Sequence, residues 1–342
     1  MTPMRAFALS LILPLLTFCG PGTAVAQETP YPSFDFGGLV FGDAYYIPSH
    51  HLEEGDGAAG LVMRRTYLTL DVDFNDRWFG RARLEINQSG EFETYEFDSD
   101  WKDLYVGANL GRHRILAGLT PTPTFDLIEK IWGARYLMRT PMDLQGIASR
   151  DTGIFAKGPI NASGTLAYRA MWAAPVEFGN ESNKNARLMG AVSWSPGKKW
   201  MFDFYTDYEK RDDEQDRSTL QAFMAYETEL LRWGLQYSTQ DRQEDPPLEL
   251  ASGFVVAKLG DKSSLIGRID RLIEPSPRGD DISYIPIDPS APATIYVGAY
   301  EYRLTPNFAL TPNLFVIDYD RDDQGQQATT DVYLRLTAFF TF

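Results

Sequence analysis

Hydrophobic and polar residues alternate along most of the chain. In the range 77–87, Trp78, Leu84 and Ile86 occupy every second position, with charged or polar residues such as Arg81 and Glu85 between them. Because successive side chains of a strand point to opposite faces, this period of two predicts strands with one apolar and one polar face. The same period recurs in 65–74, 200–209 and 331–342.

The alternating segments run about 9–14 residues, the length that crosses a bilayer at a tilt. Strands of soluble sandwiches are shorter, at about five or six residues. In lipid, an open sheet would leave backbone groups unpaired, so the sheet must close. We therefore predict an all-β fold, a transmembrane antiparallel β-barrel whose apolar face meets lipid and whose polar face lines a water-filled lumen.

Short and long connections alternate between these strands. Seven short and eight long connections give 16 strands, with short turns at one end of the barrel, long loops at the other, and both chain ends on the periplasmic side. The short connections are 75–76, 111, 158–161, 196–199, near 230, 260–262 and 305–307; the long ones are 47–60, 89–100, 120–149, 173–185, 210–217, 241–249, 274–292 and 320–328.

Aromatic residues of outward parity cluster near the ends of the predicted strands, as expected of the two interfacial girdles of an outer-membrane barrel. Near short turns lie Trp78, Trp194, Trp200 and Trp233, and near long loops lie Trp172 and Tyr208.

The first 26 residues have the pattern of a signal peptide. Arg5 supplies a positive start, an apolar stretch follows, and Ala24-Val25-Ala26 gives a small-x-small cleavage pattern. We expect residues 1–26 to be the signal peptide and 27–342 the barrel domain. An N-terminal anchor helix is the alternative, but the stretch is short and is interrupted by Pro14.

Composition and short motifs exclude several classes of function. The 342 residues carry a net charge of −15, which argues against nucleic acid as a partner, and the single cysteine excludes a disulfide framework. The sequence contains three histidines and lacks a G-x-S-x-G, a P-loop and a His/Cys metal cluster. We therefore predict no enzyme activity, no catalytic residue, no metal and no cofactor.

Several short segments have a recognisable order. Met63–Leu68, Phe74–Trp78 and Leu84-Glu85 look like the second and third strands of the phosphate-selective porin O and P family, and the alternating end of the chain at Phe342 is similar to the assembly signal of outer-membrane barrels. Further segments follow in the expected order: 102–106, 117–119, 150–154 and 298–310.

The resemblance implies a trimeric, 16-stranded porin in the outer membrane of a Gram-negative bacterium. In that family a long loop folds inside the barrel, and arginine or lysine side chains guide anions. The implied partners are small hydrophilic solutes or anions, outer-membrane lipid and lipopolysaccharide, and two further copies of the chain.

The longest connection, 120–149, contains an apolar stripe at helical spacing. Phe125, Ile128, Trp132 and Tyr136 form the stripe, and charged residues occupy other faces. A short helix exposed to water gains nothing from such a stripe, so we predict a loop that folds into the lumen and constricts it. An external flap, packed on neighbouring loops or subunits, is the alternative.

Basic residues on the polar parity are the candidates for contact with solute. Guanidinium groups offer forked donors to phosphate or carboxylate. Alternatively, each arginine pairs with a lumen acid, such as Asp71, Asp73, Glu85 or Asp103, which would leave a nearly neutral wall. The predicted pore-lining residues are Arg65, Arg81, Arg83, Arg112, Arg114, Lys130, Arg135, Arg139 and Arg150.

The acidic residues concentrate in the long loops and form either a solvated surface or a site of divalent-ion bridging to lipopolysaccharide. Their spacing is not that of a calcium loop. We predict a general or mildly anion-biased diffusion porin. A barrel-embedded hydrolase and a structural or adhesive barrel with a closed lumen are the alternatives.

Overall fold

The computed structural model describes residues 31–88, 97–147, 149–174, 176–178, 181–183, 186–211 and 215–342. The predicted signal peptide, 1–26, lies outside the described residues. The strands are β1 (Ser33–Ser49), β2 (Ala59–Asp73), β3 (Trp78–Gln88), β4 (Phe97–Leu110), β5 (His113–Pro121), β6 (Arg150–Pro159), β7 (Leu166–Ala173), β8 (Val176–Phe178), β9 (Glu181–Asn183), β10 (Ala186–Trp194), β11 (Trp200–Lys210), β12 (Arg217–Glu227), β13 (Leu231–Asp241), β14 (Leu248–Lys258), β15 (Ser263–Leu272), β16 (Ala293–Thr305), β17 (Phe308–Tyr319) and β18 (Asp331–Thr341).

Sixteen of these strands form one closed antiparallel barrel. Each pairs with its neighbour along the chain, and β1 pairs with β18 to close the sheet. The two remaining strands, β8 and β9, pair only with each other, between β7 and β10. The prediction of a 16-stranded all-β barrel is confirmed.

The two faces of the wall have opposite chemistry. On β12, Leu220 is 61% exposed, whereas its neighbours Thr219 and Gln221 are 0% and 4% exposed. Apolar side chains therefore cover the outside and polar ones face inward, the reverse of a water-soluble protein.

Short turns and long loops lie at opposite ends of the barrel. The turn between β4 and β5 and the turn between β16 and β17 each span two residues, whereas the connection between β15 and β16 spans 273–292. Near the short turns, Trp78 and Trp194 are exposed; near the long loops, Trp172 and Tyr208 are exposed. This arrangement matches two interfacial aromatic bands.

In the part of the chain that the structure describes, helical structure lies only in the long connections. The helices are α1 (Asp126–Trp132), α2 (Pro141–Leu144) and one turn of 3₁₀-helix (Gly279–Asp281). Among the described residues, no helix has both the length and the apolar character needed to cross a membrane.

Candidate functional site

The connection between β5 and β6 buries its apolar stripe against side chains of the wall. Phe125, Ile128, Trp132 and Tyr136 are all buried. The Trp132 ring meets Phe254 of β14 edge-on, with 5.1 Å between ring centroids. The stripe at helical spacing therefore marks the packed side of this connection. We call residues 122–147 the first loop.

Inward-facing side chains of the wall hold the first loop by its backbone carbonyls. Arg64 of β2 donates to the carbonyls of Tyr136 and Leu137, the latter at 3.1 Å. Bonds of this kind replace the water that the loop carbonyls would otherwise require. The other donors are Arg169 to Pro123 at 3.4 Å, Gln221 to Thr124 at 2.6 Å, Arg232 to Trp132 at 3.1 Å and Arg268 to Arg139 at 2.7 Å.

The four arginines in this set also have carboxylate partners on the barrel. A buried guanidinium without a counter-charge would cost several kcal/mol. We call Arg64, Arg169, Arg232 and Arg268 the wall arginines. Their partners are Asp43 for Arg64, Asp203 for Arg169, Glu227 for Arg232 and Asp270 for Arg268.

Gly133 permits one of these contacts. It ends α1 with φ +68°, a conformation that residues other than glycine adopt at a cost. A Cβ atom at this position would lie 2.7 Å from Nη2 of Arg232. A larger residue would therefore displace Arg232 from the Trp132 carbonyl.

A second connection, 273–292, also packs inward, which the sequence analysis did not predict. Ile282, Ile285 and Ile287 are fully buried, in one apolar cluster with Ile128 and Met142 of the first loop. Three isoleucines in a connection at the long-loop end were the available signal. We call residues 273–292 the second loop.

Tyr284 anchors the second loop in a group of arginines. Its ring centroid lies 5.0 Å from the Arg64 guanidinium, 5.3 Å from that of Arg139 and 5.9 Å from that of Arg335. Arg335 also donates to the Tyr284 carbonyl. Burial raises the pKa of Tyr284, but Arg139 and Arg64 lower it by more, so it lies below its ordinary value.

Three of the predicted pore-lining arginines lie on one patch of wall, and each has an acidic partner. Arg65 Nε lies 2.9 Å from Glu85. Arg81 forms two bonds to Asp71, at 2.7 and 2.8 Å. The third pair, at 3.1 Å, is Arg83 with Asp103. The charge of this patch is therefore largely balanced.

Arg135 and Arg150 are also paired. Arg135 bonds Glu129 at 2.8 Å and Asp143 at 3.0 Å. Burial raises the pKa of Asp143, but Arg135 and the nearby Arg139 lower it to below its ordinary value. Arg150 bonds Asp103 at 2.6 Å, so this carboxylate serves both Arg83 and Arg150.

Three other predicted residues, Arg112, Arg114 and Lys130, lie in a separate basic group at the short-turn end, whereas Arg139 lies over the Tyr284 ring of the second loop. In the strand register, Arg114 of β5 lies opposite Lys157 of β6, which lies opposite Arg169 of β7. Arg112 and Lys130 line the same cavity, which has a volume of about 460 Å³. We call Arg112, Arg114, Lys130 and Lys157 the basic group.

Acidic partners are scarce in the basic group. Within the described part of the chain, none of its four members forms an ion pair; Arg112 bonds the Ala162 carbonyl and Arg114 the Asn109 side chain. Asp126 is the one carboxylate that lines the cavity. Lys157 was missed by the sequence analysis, although its parity on β6 could have placed it beside Arg114.

A second cavity, of about 370 Å³, also borders α1, through Glu129. Its charged lining is mixed, with Arg81, Arg83 and Arg135 beside Asp35, Asp71 and Glu129. The two cavities that border α1 therefore differ in charge, one balanced and the other positive.

One group of side chains brings metal-ligand atoms together. Ring nitrogens of His50 and His51 and an oxygen of Asp331 lie within 4.8 Å of one another. However, the Leu52 amide donates to His50 Nδ1 at 2.9 Å, so the ring proton is on Nε2, which faces the Tyr333 hydroxyl at 2.8 Å. With its proton on that nitrogen, His50 is a poor metal ligand.

A closed 16-stranded barrel, with an apolar exterior, a polar inner wall and inward-packed loops, has the fold of the outer-membrane porins. No protein-family model and no curated protein matches the sequence. Among solved structures, the chain is similar to an anion-selective porin from Comamonas acidovorans, with a TM-score of 0.64, 14% identity and coverage of 91% of this chain and 100% of that one.

Two further structures share the fold. A loop-deletion mutant of OmpT, an outer membrane protein of Vibrio cholerae, has a TM-score of 0.63 and 13% identity over 92% of this chain and 100% of its own. The outer membrane channel DcaP of Acinetobacter baumannii has a TM-score of 0.61 and 11% identity over 93% and 100%.

Proposed function

We propose that the chain is an outer-membrane porin of a Gram-negative bacterium, a channel for passive diffusion of small hydrophilic solutes without a cofactor or catalysis. The observation that carries this proposal is the inverted wall, with apolar side chains outside and polar ones inside. Residues 1–26 would direct export, and the exterior would meet lipid and lipopolysaccharide. The protein would assemble as a homotrimer, with kinship to the phosphate-selective porin O and P family.

The first loop is proposed as the constriction. Its wall contacts and buried stripe support a fixed position inside the barrel, and Asp126 and Lys130 remain exposed. The width and charge of a constriction determine which solutes pass. Solutes would then pass along α1 beside the charge-balanced patch of Arg65, Arg81 and Arg83, beside the basic group, or along both.

The channel is proposed to favour anions through the basic group. Arg65, Arg81 and Arg83 each have a carboxylate partner and contribute little net charge, whereas Arg114 and Lys157 face each other with none. Two cations directly opposite on neighbouring strands repel each other, and an anion between them would relieve the repulsion.

Reversal potentials across a planar bilayer with a salt gradient test this proposal. Replacing Arg114 and Lys157 with Gln should shift the reversal potential toward cations. The matched control is R81Q combined with D71N, which removes one charge of each sign and should leave the potential unchanged. An unchanged potential in R114Q/K157Q would contradict the proposed anion bias.

A closed structural barrel is the second candidate, because two loops fill part of the interior with an apolar cluster. Liposome swelling with sugars of graded size separates the two. Swelling that falls with sugar size supports a diffusion channel, whereas no swelling at any size supports a closed barrel. Hydrolysis of lipid or peptide by the pure protein would support the hydrolase alternative.

A further inference from the structure

His51 joins three separate parts of the long-loop end. It lies just after β1; its Nδ1 is 2.8 Å from Asp331 at the start of β18, and its Nε2 is 2.9 Å from Asp280 in the 3₁₀-helix of the second loop. An ionised carboxylate can only accept hydrogen bonds. Both ring nitrogens of His51 must therefore donate, which requires the charged imidazolium.

The groups around His51 favour a single positive charge in the histidine pair, and this charge lies on His51. His50 stacks on it with 4.4 Å between ring centroids and is neutral by its own hydrogen bonds, and the Tyr319 hydroxyl donates to Asp331 at 2.6 Å. Tyr333 faces His50. These groups, with Asp280, are the titratable side chains that face the pair.

Burial lowers the pKa of both histidines. For His51 the hydrogen bonds to Asp331 and Asp280 outweigh burial, and its pKa lies above the ordinary value. For His50 burial prevails over the charge of Asp331, and its pKa lies below the ordinary value. Between these two values, His51 is protonated and His50 is not.

The contact to Asp280 reaches the interior of the barrel. Asp280 lies two residues before Ile282, which is fully buried in the apolar cluster shared with the first loop. Holding Asp280 in place therefore also holds the inward part of the second loop.

We propose that His51 is a pH-sensitive latch that keeps the second loop packed inside the barrel and releases it on the alkaline side. Loss of the ring proton leaves one nitrogen able to donate, so one of the two carboxylates loses its partner. Because folding raises the His51 pKa, the stabilisation is complete below the unfolded-state pKa and is lost as pH rises through the folded-state pKa. Each unit of pKa difference changes the latch equilibrium about tenfold.

Limited digestion with trypsin tests the latch without relying on channel activity. Arg278, in the second loop, offers the cleavage site. Because trypsin itself depends on pH, each rate is expressed relative to H51Q at the same pH. We expect wild type to be cleaved about fivefold more slowly than H51Q at pH 6.5, for one unit of pKa difference, because about half of the unfolded-state imidazole is also protonated there, and equally fast at pH 9.

Two variants sharpen the test. H113Q alters the third histidine, which lies at the short-turn end, and should behave like wild type at both pH values. D280N retains the shape of the contact but removes one negative charge, so the release should move to lower pH. Equal cleavage of wild type and H51Q at every pH would overturn the latch.

Single-channel conductance measures the consequence for transport, and this part depends on the proposed function. Wild type should gain conductance between pH 6.5 and pH 9, and H51Q should have the higher value at pH 6.5 and the same value as wild type at pH 9. If the rate of digestion depends on pH but the protein carries no current, the latch is supported and the proposed channel function is refuted. If digestion depends on pH but the current does not, the latch does not gate the channel.

Discussion

At the scale of single residues, the position of an arginine decides its role. Arg64 and Arg81 lie on the same polar face of β2 and β3, yet Arg64 bonds loop carbonyls, whereas Arg81 is fully engaged with Asp71. Members of the basic group instead remain without an acidic partner among the described residues. Sequence parity identifies Arg81 and Arg114 as inward-facing but cannot distinguish these roles, and it places Arg64 on the face opposite Arg65, because alternation alone does not predict the register shift in β2.

Replacing Arg64 with Met should destabilise the protein by about 3 kcal/mol, because Asp43 would remain buried without its counter-charge. Asp43 also accepts a bond from Thr337, which limits the loss. The free energy of unfolding by urea in lipid vesicles measures the effect. Combining R64M with D43N should recover part of it, and a double variant no more stable than R64M would contradict this account.

At the scale of elements, α1 presents a buried face to the wall and an exposed face to the cavities. Ile128 and Trp132 are buried, whereas Asp126 and Lys130 are exposed. A side chain attached at position 130 should therefore enter the proposed path of solutes.

A negatively charged thiosulfonate reagent should reduce conductance and anion preference in a K130C variant. The reagent replaces a positive charge with a negative one in the basic cavity, and Cys19, the single native cysteine, lies in the predicted signal peptide. I160C is the control, since Ile160 is exposed at the same end of the barrel but does not line the cavity. Equal block in both variants would show that α1 does not border the path.

The sixteen barrel strands were predictable because most of their residues alternate with a period of two and their connections are visibly short or long, whereas β8 and β9 lie within a predicted long loop. The buried stripe of the first loop was predictable for a similar reason, since Phe125, Ile128 and Trp132 repeat at helical spacing. The second loop was not, because Ile282, Ile285 and Ile287 follow neither period. Ion pairs such as Arg83 with Asp103 depend on strand register, which alternation alone does not determine.

At the scale of the whole molecule, the chain is negatively charged, although the channel is proposed to prefer anions. The chain carries −15 overall, while the proposed anion preference depends on four basic side chains around one cavity. Only charges within about one Debye length of a permeating ion act on it strongly. The preference should therefore depend on ionic strength.

The anion-to-cation permeability ratio should be largest near 0.01 M salt, where the Debye length is about 30 Å, and approach one near 1 M, where it is about 3 Å. Reversal potentials at a fixed concentration ratio and several mean concentrations provide the measurement. R114Q/K157Q should show a weaker dependence. A ratio that stays constant up to 1 M would indicate selection by direct binding instead.

The seam between β1 and β18 has a kinetic consequence. Leu39 pairs with Thr341, and Gly38 exchanges two backbone hydrogen bonds with Phe342, so the first and last strands of the barrel complete it together. Such distant pairing makes folding slow, because much chain entropy is lost before the final contacts form. Until then both edges can pair with other chains, so this protein needs protection from aggregation while it folds.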